Sequence, residues 1–402
     1  MHNKISSSSK RKLILTLPFL TGGGAERVAS DISIALSDYF DVYLVLTENK
    51  VTYPYKGTLI NLNIPTSLKR NIFGYFIYEF LYTIKLFFVK QKLGNPPTIS
   101  FMETANVPNI LSLGFPITSI HEYKPLSRRT FRKDLSEVLM KILYNFSYMN
   151  VAVSKVVEKS LRDIYKIKSN KVVTIYNSIN IKRIQKLKNE PLSEDEKKIF
   201  KHPVIITSGR LTYQKAQWRL IRSFKEVKKT VKDAKLVILG EGELRDDLIK
   251  FTKSLNLEKD VYFLGFKKNP FKYISKSSLF VLSSFYEGFS MVIAESMACG
   301  VPIVSIDSPA GPRELLDPKD YNSKIKGIKY GKYGILTERF ENLSEDLNSF
   351  KLLYEERILA EAIIKILTNK KLSKHYSKMS LIRAKDFDID KIKHEWLRLL
   401  NF

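Results

Sequence analysis

Short apolar runs alternate with amphipathic stretches along most of this chain. KLILTL (residues 12–17) is followed by a glycine-rich loop. Then come Val28, Ile32, Ala35 and Leu36 at helical spacing, and next the run 42–46. Further apolar runs stand at 97–101, 117–120, 151–153 and 172–175. This repeated strand–helix order predicts a parallel sheet. Residues 186–202 are charged and strand-free, contain Pro191 and precede Pro203, so they read as a linker. The pattern then restarts, with runs at 204–207, 236–239, 261–264, 280–282 and 301–306. The expected fold class is α/β, with two Rossmann-like domains facing across a cleft. Their expected extents are residues 1–190 and 200–380, with 381–402 as a closing segment. No period of 20–50 residues repeats, so a solenoid is excluded.

Residues 72–89, IFGYFIYEFLYTIKLFFV, break the alternation. Only Glu79 and Lys85 are charged in these 18 residues, and aromatic side chains crowd the rest. A spanning helix needs about 20 clean apolar residues. Lys69, Arg70, Lys90 and Lys92 flank the stretch. It reads as a helix lying at a membrane interface, the alternative being a helix buried under the sheet.

Composition narrows the class. A length of 402 residues, 44% apolar, suits two domains. The single cysteine, Cys299, excludes a disulfide framework and a cysteine-based zinc site, and suits a reducing compartment. The first twelve residues lack the apolar core and cleavage site of a secretory signal. A net charge of +26 calls for an anionic partner: nucleic acid, anionic lipid or a phosphorylated substrate. Zinc-finger spacing, an aromatic RNA-binding motif and a basic recognition helix are all missing from the sequence, so no nucleic-acid partner is expected.

The chemistry gathers at strand-end loops. Residues 284–311, SFYEGFSMVIAESMACGVPIVSIDSPAG, read as a loop, a short helix 291–299 capped by Ser290 and ended by Gly300, and a buried strand. Ligands of open α/β sheets bind at that edge. Glu287 lies in the loop and Glu295 in the helix, with seven residues between them. A carboxylate can take two sugar or ribose hydroxyls. Gly288 allows close backbone approach, and a helix start favours a phosphate or sugar oxygen. Read alone, the two acids are equally well a solvated loop acid and a solvated helix acid. Arg210 and Lys215 follow the first strand of the second half, and two cations there can neutralise a diphosphate. Gly22, Gly23 and Gly24 follow the first strand, where backbone amides can reach a phosphate. His121 directly follows an apolar strand, and Glu103 follows another. Neither a D-x-D after a strand nor any other metal-ligand cluster is visible.

These motifs resemble retaining glycosyltransferases of the GT-B type, family 4. The resemblance rests on E-x7-E at Glu287 and Glu295, on GGAER at 23–27, on GRL-x3-K at 209–215, on GEGELRDDL at 240–248 and on PAGPREL at 309–315. The family usually continues GRL-x3-K with Gly or Asn, where this chain has Ala216. A nucleotide-sugar donor on the second domain is implied. Gly240, Glu241, Gly242 and Phe266 then line the nucleoside, Glu295 the ribose, and Arg210 and Lys215 the diphosphate. Glu287 with Gly288, Phe289, Ser290, Met291 and Val292 holds the sugar, and Gly23 and Gly24 complete the donor set. His121 is implied to contact the transferred sugar, and the tail helix to return to the first domain.

Within the family the chain looks most like bacterial transferases that extend lipid-linked oligosaccharides, O-antigen or capsule. A UDP-sugar co-substrate, no metal or other cofactor, and a polyprenyl-diphosphate-linked or polysaccharide acceptor follow. The acceptor enters from the first half, where Glu103 orients it or caps its loop. There Arg128, Arg129, Arg132 and Lys133 would meet an anionic membrane, placing the chain in the cytoplasm on the inner face of the plasma membrane. The rivals are a nucleotide-sugar epimerase of similar fold, a glycogen-type synthase, and a basic nucleic-acid-binding protein.

Overall fold

Strands that are apolar on both faces must be covered on both, which parallel sheets flanked by helices achieve. β1 (Arg11–Leu17) buries its last five residues completely, and β4 (Thr98–Phe101) and β5 (Pro116–Ile120) bury every residue. With β2 (Phe40–Leu46), β3 (Thr58–Asn61), β6 (Met149–Ala152) and β7 (Val172–Thr174) they form a wholly parallel sheet in the order β3-β2-β1-β4-β5-β6-β7. The structure is a computed structural model and describes residues 10–121, 138, 141–320, 323–341, 343–344, 347 and 349–401. Arg128, Arg129, Arg132 and Lys133 lie outside the described residues.

The second sheet repeats the plan. β8 (Val204–Ser208), β9 (Lys235–Leu239), β10 (Val261–Gly265), β11 (Leu279–Leu282) and β12 (Ile303–Ile306) run parallel, and a short antiparallel pair, β13 (Ile328–Tyr330) and β14 (Ile335–Thr337), finishes one edge. The order is β10-β9-β8-β11-β12-β14-β13. In both sheets the strand order therefore reverses beside the first strand, between β1 and β4 and between β8 and β11, while those strands stay parallel. That reversal is where doubly wound sheets bind ligands.

The chain divides into two compact units. One holds the residues up to His121, those to Ser178 and the tail from Ile389; the other holds Ile179–Asp388. In the first, the tail helix Ile389–Leu400 packs on helix Gly24–Leu36, and Arg11 Nη2 donates to the Leu400 carbonyl at 2.9 Å. In the second, the charged segment expected to be a linker carries two short helices, Ile181–Leu187 and Glu194–Ile199. The Tyr273 hydroxyl donates to Glu196 at 2.6 Å and Asn269 donates to the Leu187 carbonyl at 2.8 Å, so the segment is built into that unit. Charge alone hid this, because Ser193 and Glu196 form a capping box on an otherwise exposed helix.

Helix Ile72–Leu93 is buried along one face, as a helix under the sheet would be, and exposed along the other. Its row Gly74, Tyr78, Tyr82, Leu86 and Lys90, spaced four apart, is buried against the first sheet. Tyr82 hydroxyl meets Thr16 Oγ1 at 2.7 Å and Tyr78 hydroxyl meets Thr47 Oγ1 at 2.9 Å, so each phenol finds a partner. The opposite row is apolar and exposed: Phe73 at 76%, Phe76 at 52%, Phe80 at 65%, Phe88 at 64%, with Ile84 among them. The helix is long and apolar enough to cross a membrane by length and composition.

Candidate functional site

In the second unit the loops after β8 and β11 flank the reversal of strand order and are stitched together. Phe285 N donates to the Gln214 carbonyl at 2.9 Å, Gln214 Nε2 to the Tyr286 carbonyl at 2.8 Å, and Ser283 Oγ to the Lys215 carbonyl at 2.9 Å. These bonds bring Lys215 Nζ to 2.6 Å from Glu287 Oε1, both side chains largely buried. The Lys215 stem lies over Gly209, where an added Cβ would meet Cε at 3.5 Å. Arg210, in the same loop, is exposed, and its carbonyl accepts from Gln217 Nε2 at 2.9 Å. Two of the expected residues, Lys215 and Glu287, are therefore in direct contact.

Ser290 is not a capping residue. It sits at φ 68°, ψ 62°, and its side chain makes no cap bond to helix Met291–Cys299. Its backbone carbonyl still receives Ile293 N at 2.9 Å, which closes the first turn of the helix. A left-handed serine costs about 1–2 kcal/mol, strain of the kind that collects at ligand sites. Glu295 lies one turn further on, on the buried side of the same helix.

The loop after β9 packs on the loop after β8, and Gly240 N donates to the Gly265 carbonyl at the end of β10 at 2.9 Å. Gly240 has φ +136°, and a Cβ there would lie 1.9 Å from the Gly209 carbonyl; at Gly242 it would lie 2.3 Å from the Leu211 carbonyl. Leu211 N donates to the Glu241 carbonyl at 2.9 Å, and Leu244 N to the Leu211 carbonyl at 3.0 Å. The glycines therefore let the 240–242 backbone rest directly on the 209–211 backbone. Glu241 is exposed, pairs with Arg245 at 3.3 Å, and lies over Gly265; Phe266, next in the chain, is exposed. Ala216 occupies a left-handed position, φ 48°. That explains the family's Gly or Asn here, since both enter this region more easily. The alanine keeps the same turn, and Lys215 keeps its place.

In the first unit Gly23, Gly24, Glu103 and His121 stand at the carboxyl ends of β1, β4 and β5. Gly23 precedes the helix that Gly24 begins, and the Glu26 carboxylate folds back over it, 2.0 Å from where a Cβ would be. Glu103 starts helix Glu103–Leu111 after Met102, which has φ 72°. His121 Nε2 and Ser119 Oγ are 2.9 Å apart, and the ring lies 5.9 Å from Phe101. Burial lowers the imidazole pKa to about 4, so His121 is neutral at pH 7.

Two groups in this unit escaped the sequence reading. Burial raises the Glu79 carboxyl to about 7, with Lys69 and Tyr75 beside it pulling the other way and Glu103 pushing further up. Lys90, which looked like a flanking cation, is buried instead and donates to the carbonyls of Asn109 at 2.8 Å and Leu113 at 2.7 Å. It ties down the end of helix Glu103–Leu111. Both were legible only as charges in an aromatic stretch. Among the described residues no three of His, Cys, Asp and Glu come together as a metal site.

Comparison with known proteins gives this arrangement a class. Residues 188–332 match the Glycosyl transferases group 1 family. An uncharacterized glycosyltransferase of Methanocaldococcus jannaschii is 42% identical over 269 residues, covering 65% of this chain and 66% of that one. The N-acetylgalactosamine-N,N'-diacetylbacillosaminyl-diphospho-undecaprenol 4-alpha-N-acetylgalactosaminyltransferase of Campylobacter jejuni is 29% identical over 398 residues, covering 97% and 99%. The crystal structure of Anabaena HepE in complex with UDP superposes with a TM-score of 0.70 at 18% identity, covering 97% and 99%. The fold is GT-B. The chain is a glycosyltransferase, and residues 188–332 are its group 1 domain.

Proposed function

We propose that this glycosyltransferase moves a hexose or N-acetylhexosamine, with retention, from a UDP-sugar to a polyprenyl-diphosphate-linked or other surface-polysaccharide acceptor. The observation that carries this reading is the alignment with the Campylobacter transferase, which spans nearly the whole of both chains and whose name specifies a diphospho-undecaprenol acceptor and an alpha linkage. An alpha product from an alpha-linked sugar nucleotide is retention. UDP as the donor nucleotide is supported by HepE, solved with UDP, whose fold this chain shares over its length.

The chemistry follows from the second unit. Breaking the bond from sugar to diphosphate leaves negative charge on the leaving oxygens, and stabilising that charge is the main catalytic task. Arg210 and Lys215 supply cations there, and the amides heading helix Met291–Cys299 supply dipoles. Glu287, fixed by Lys215, takes sugar hydroxyls, and Glu295 takes the ribose. No side chain is assigned as a nucleophile; the acceptor attacks the face the diphosphate leaves, and that diphosphate helps take its proton. His121, being neutral, serves as a hydrogen-bonding group to the sugar rather than as an acid.

The reading includes no metal or other cofactor and no nucleic-acid partner. It places the chain in the cytoplasm, peripheral on the anionic inner face of the plasma membrane, with the exposed row of helix Ile72–Leu93 against the lipid. The test is incubation with UDP-sugars and a polyprenyl-diphosphate-linked glycan, read by mass spectrometry and by NMR of the new anomeric centre. A product lengthened by one alpha-linked sugar, with UDP released and EDTA without effect, is expected. An inverted product, activity restored only by manganese, or an altered UDP-sugar without UDP release, as an epimerase would give, overturns it.

A further inference from the structure

The loop after β12 is held shut by an ion pair that the donor chemistry above does not use. Asp307 and Arg313 bracket residues 308–312. Arg313 Nε donates to Asp307 Oδ1 at 2.8 Å and Nη2 to Asp307 Oδ2, both residues being more than nine-tenths buried. The remaining Nη1 donates to the carbonyls of Ser323 at 2.6 Å and Asp320 at 3.3 Å. The guanidinium thus has every nitrogen engaged and is not offered to a ligand. Asp307 is fixed in turn, its backbone N donating to the Thr337 carbonyl at 2.8 Å.

What the pair encloses bears on the site. Ala310 and Gly311 are both left-handed, φ 60° and 87°, a shape that needs support. Gly311 presses on the sugar-side loop: a Cβ there would lie 2.6 Å from the Phe289 carbonyl and 2.8 Å from Ser290 Oγ. From the same loop the Pro309 carbonyl receives Glu287 N at 3.3 Å. The loop therefore touches the backbone of Glu287 and Phe289 and the side chain of Ser290, the last of which is itself left-handed. Ser290 Oγ and Ser308 Oγ are buried and have no hydrogen-bond partner among the described residues.

We propose that Arg313, acting through Asp307, is a positioning residue for the donor: it holds residues 308–311 in the shape that keeps Glu287 and the head of helix Met291–Cys299 in register with Lys215. This rests on the donor reading above. A shift of about 1 Å in such groups can cost up to ~100-fold in rate, while a purely structural ion pair costs stability alone.

The experiment compares Arg313→Lys, Gly311→Ala and Asp260→Asn with the parent. Arg313→Lys keeps the charge and loses the fork that grips both oxygens. Gly311→Ala pushes the same loop off Phe289 while leaving the ion pair intact, so it tests the idea even where Arg313→Lys folds poorly. Asp260 pairs with Lys228 and Lys235 at the opposite, amino-terminal edge of the sheet, and its variant reports a structural loss only. Ligand-free melting and calorimetric titration with UDP are measured on each, then KM and kcat for the UDP-sugar. Arg313→Lys and Gly311→Ala are expected to raise the UDP Kd and to lower kcat/KM about tenfold or more, with Asp260→Asn changing the melting point alone. If both loop variants bind UDP as the parent does, or lose only melting temperature as Asp260→Asn does, the inference is overturned and the donor reading stands. A parent that binds no UDP overturns both.

Discussion

Lys215 and Glu287 meet at 2.6 Å in a pair largely closed to solvent, one from the loop after β8 and one from the loop after β11. The pair gives the two residues separable roles. On the proposed donor reading, Lys215→Ala removes a cation from the diphosphate; it also leaves a buried carboxylate uncompensated. UDP binding should weaken by about 1.5–3 kcal/mol, the worth of a charged hydrogen bond, and Arg210→Ala should do the same. Glu287→Gln takes away no cation and releases Lys215 from its partner. Its UDP affinity should match or exceed the parent's while sugar transfer collapses. Calorimetry with UDP beside a transfer assay decides; weaker UDP binding by Glu287→Gln, or unchanged binding by both cation variants, would sink this division.

Gly240 and Gly242 should matter before any ligand binds. A methyl at Gly240 would strike the Gly209 carbonyl at 1.9 Å from a backbone angle that other residues rarely adopt. A methyl at Gly242 would strike the Leu211 carbonyl. Each alanine variant should lose at least about 2 kcal/mol of ligand-free stability through overpacking and strain. Chemical denaturation without nucleotide tests this. Variants with parental stability and weakened UDP binding would instead make these glycines ligand contacts alone.

Glu79 and His121 should leave opposite marks on the pH dependence of stability. Glu79 is raised from 4.5 to about 7, so the folded protein holds its proton more tightly than the unfolded chain does. Its cost grows as pH rises through that window and is complete above it. His121 is lowered from 6.5 to about 4, so the unfolded chain takes the proton first, and the cost grows as pH falls through that window. Glu79→Gln should therefore raise the melting temperature at pH 8 more than at pH 4.5. For His121→Gln the pH-dependent part has the reverse order. Parallel shifts at both pH values would contradict these environments.

Why some of this was legible in the sequence and some was not follows from periodicity. The core strands are short unbroken apolar runs, and a run buried on both faces announces itself whatever its partners. Arg210, Lys215 and Glu287 were found because each stands just after such a run. β13 and β14 are three residues each, too short for any pattern, and β3 is only partly buried. The aromatic helix hid its orientation because both rows spaced four apart are apolar. Only the hydroxyls of Tyr78 and Tyr82, which reach Thr47 and Thr16, separate the inner row from the outer phenylalanines. The Asp307–Arg313 pair was invisible for another reason: two opposite charges six apart, across a loop, carry no helical or strand spacing.

The outer row of helix Ile72–Leu93 yields the last prediction. Phe76, Phe80, Ile84 and Phe88 stand four residues apart on one exposed line, with Phe73 close to its start. A soluble surface rarely spends five large apolar side chains on one stripe, and aromatic rings favour the bilayer interface. Arg70 precedes the helix and Lys92 lies in its last turn, within a chain of net charge +26, and each nearby cation adds about 1 kcal/mol on an anionic lipid surface. The full chain should therefore bind vesicles containing phosphatidylglycerol at low salt and release them as salt rises. Phe76→Ser, Phe80→Ser and Phe88→Ser together should weaken that binding at least about tenfold, since burying one phenylalanine is worth roughly 1.5–3 kcal/mol. UDP affinity should not change, because these side chains belong to the first unit and face away from its sheet. Changing Arg128, Arg129, Arg132 and Lys133 to Glu separates the electrostatic share: a steeper loss at low salt than at high salt assigns part of the attraction to them. Transfer to a membrane-held acceptor should fall with vesicle binding while hydrolysis of the soluble donor persists. If the parent ignores anionic vesicles at low salt, or the triple serine variant binds them equally well, the stripe is not a membrane face and a soluble acceptor becomes the better reading.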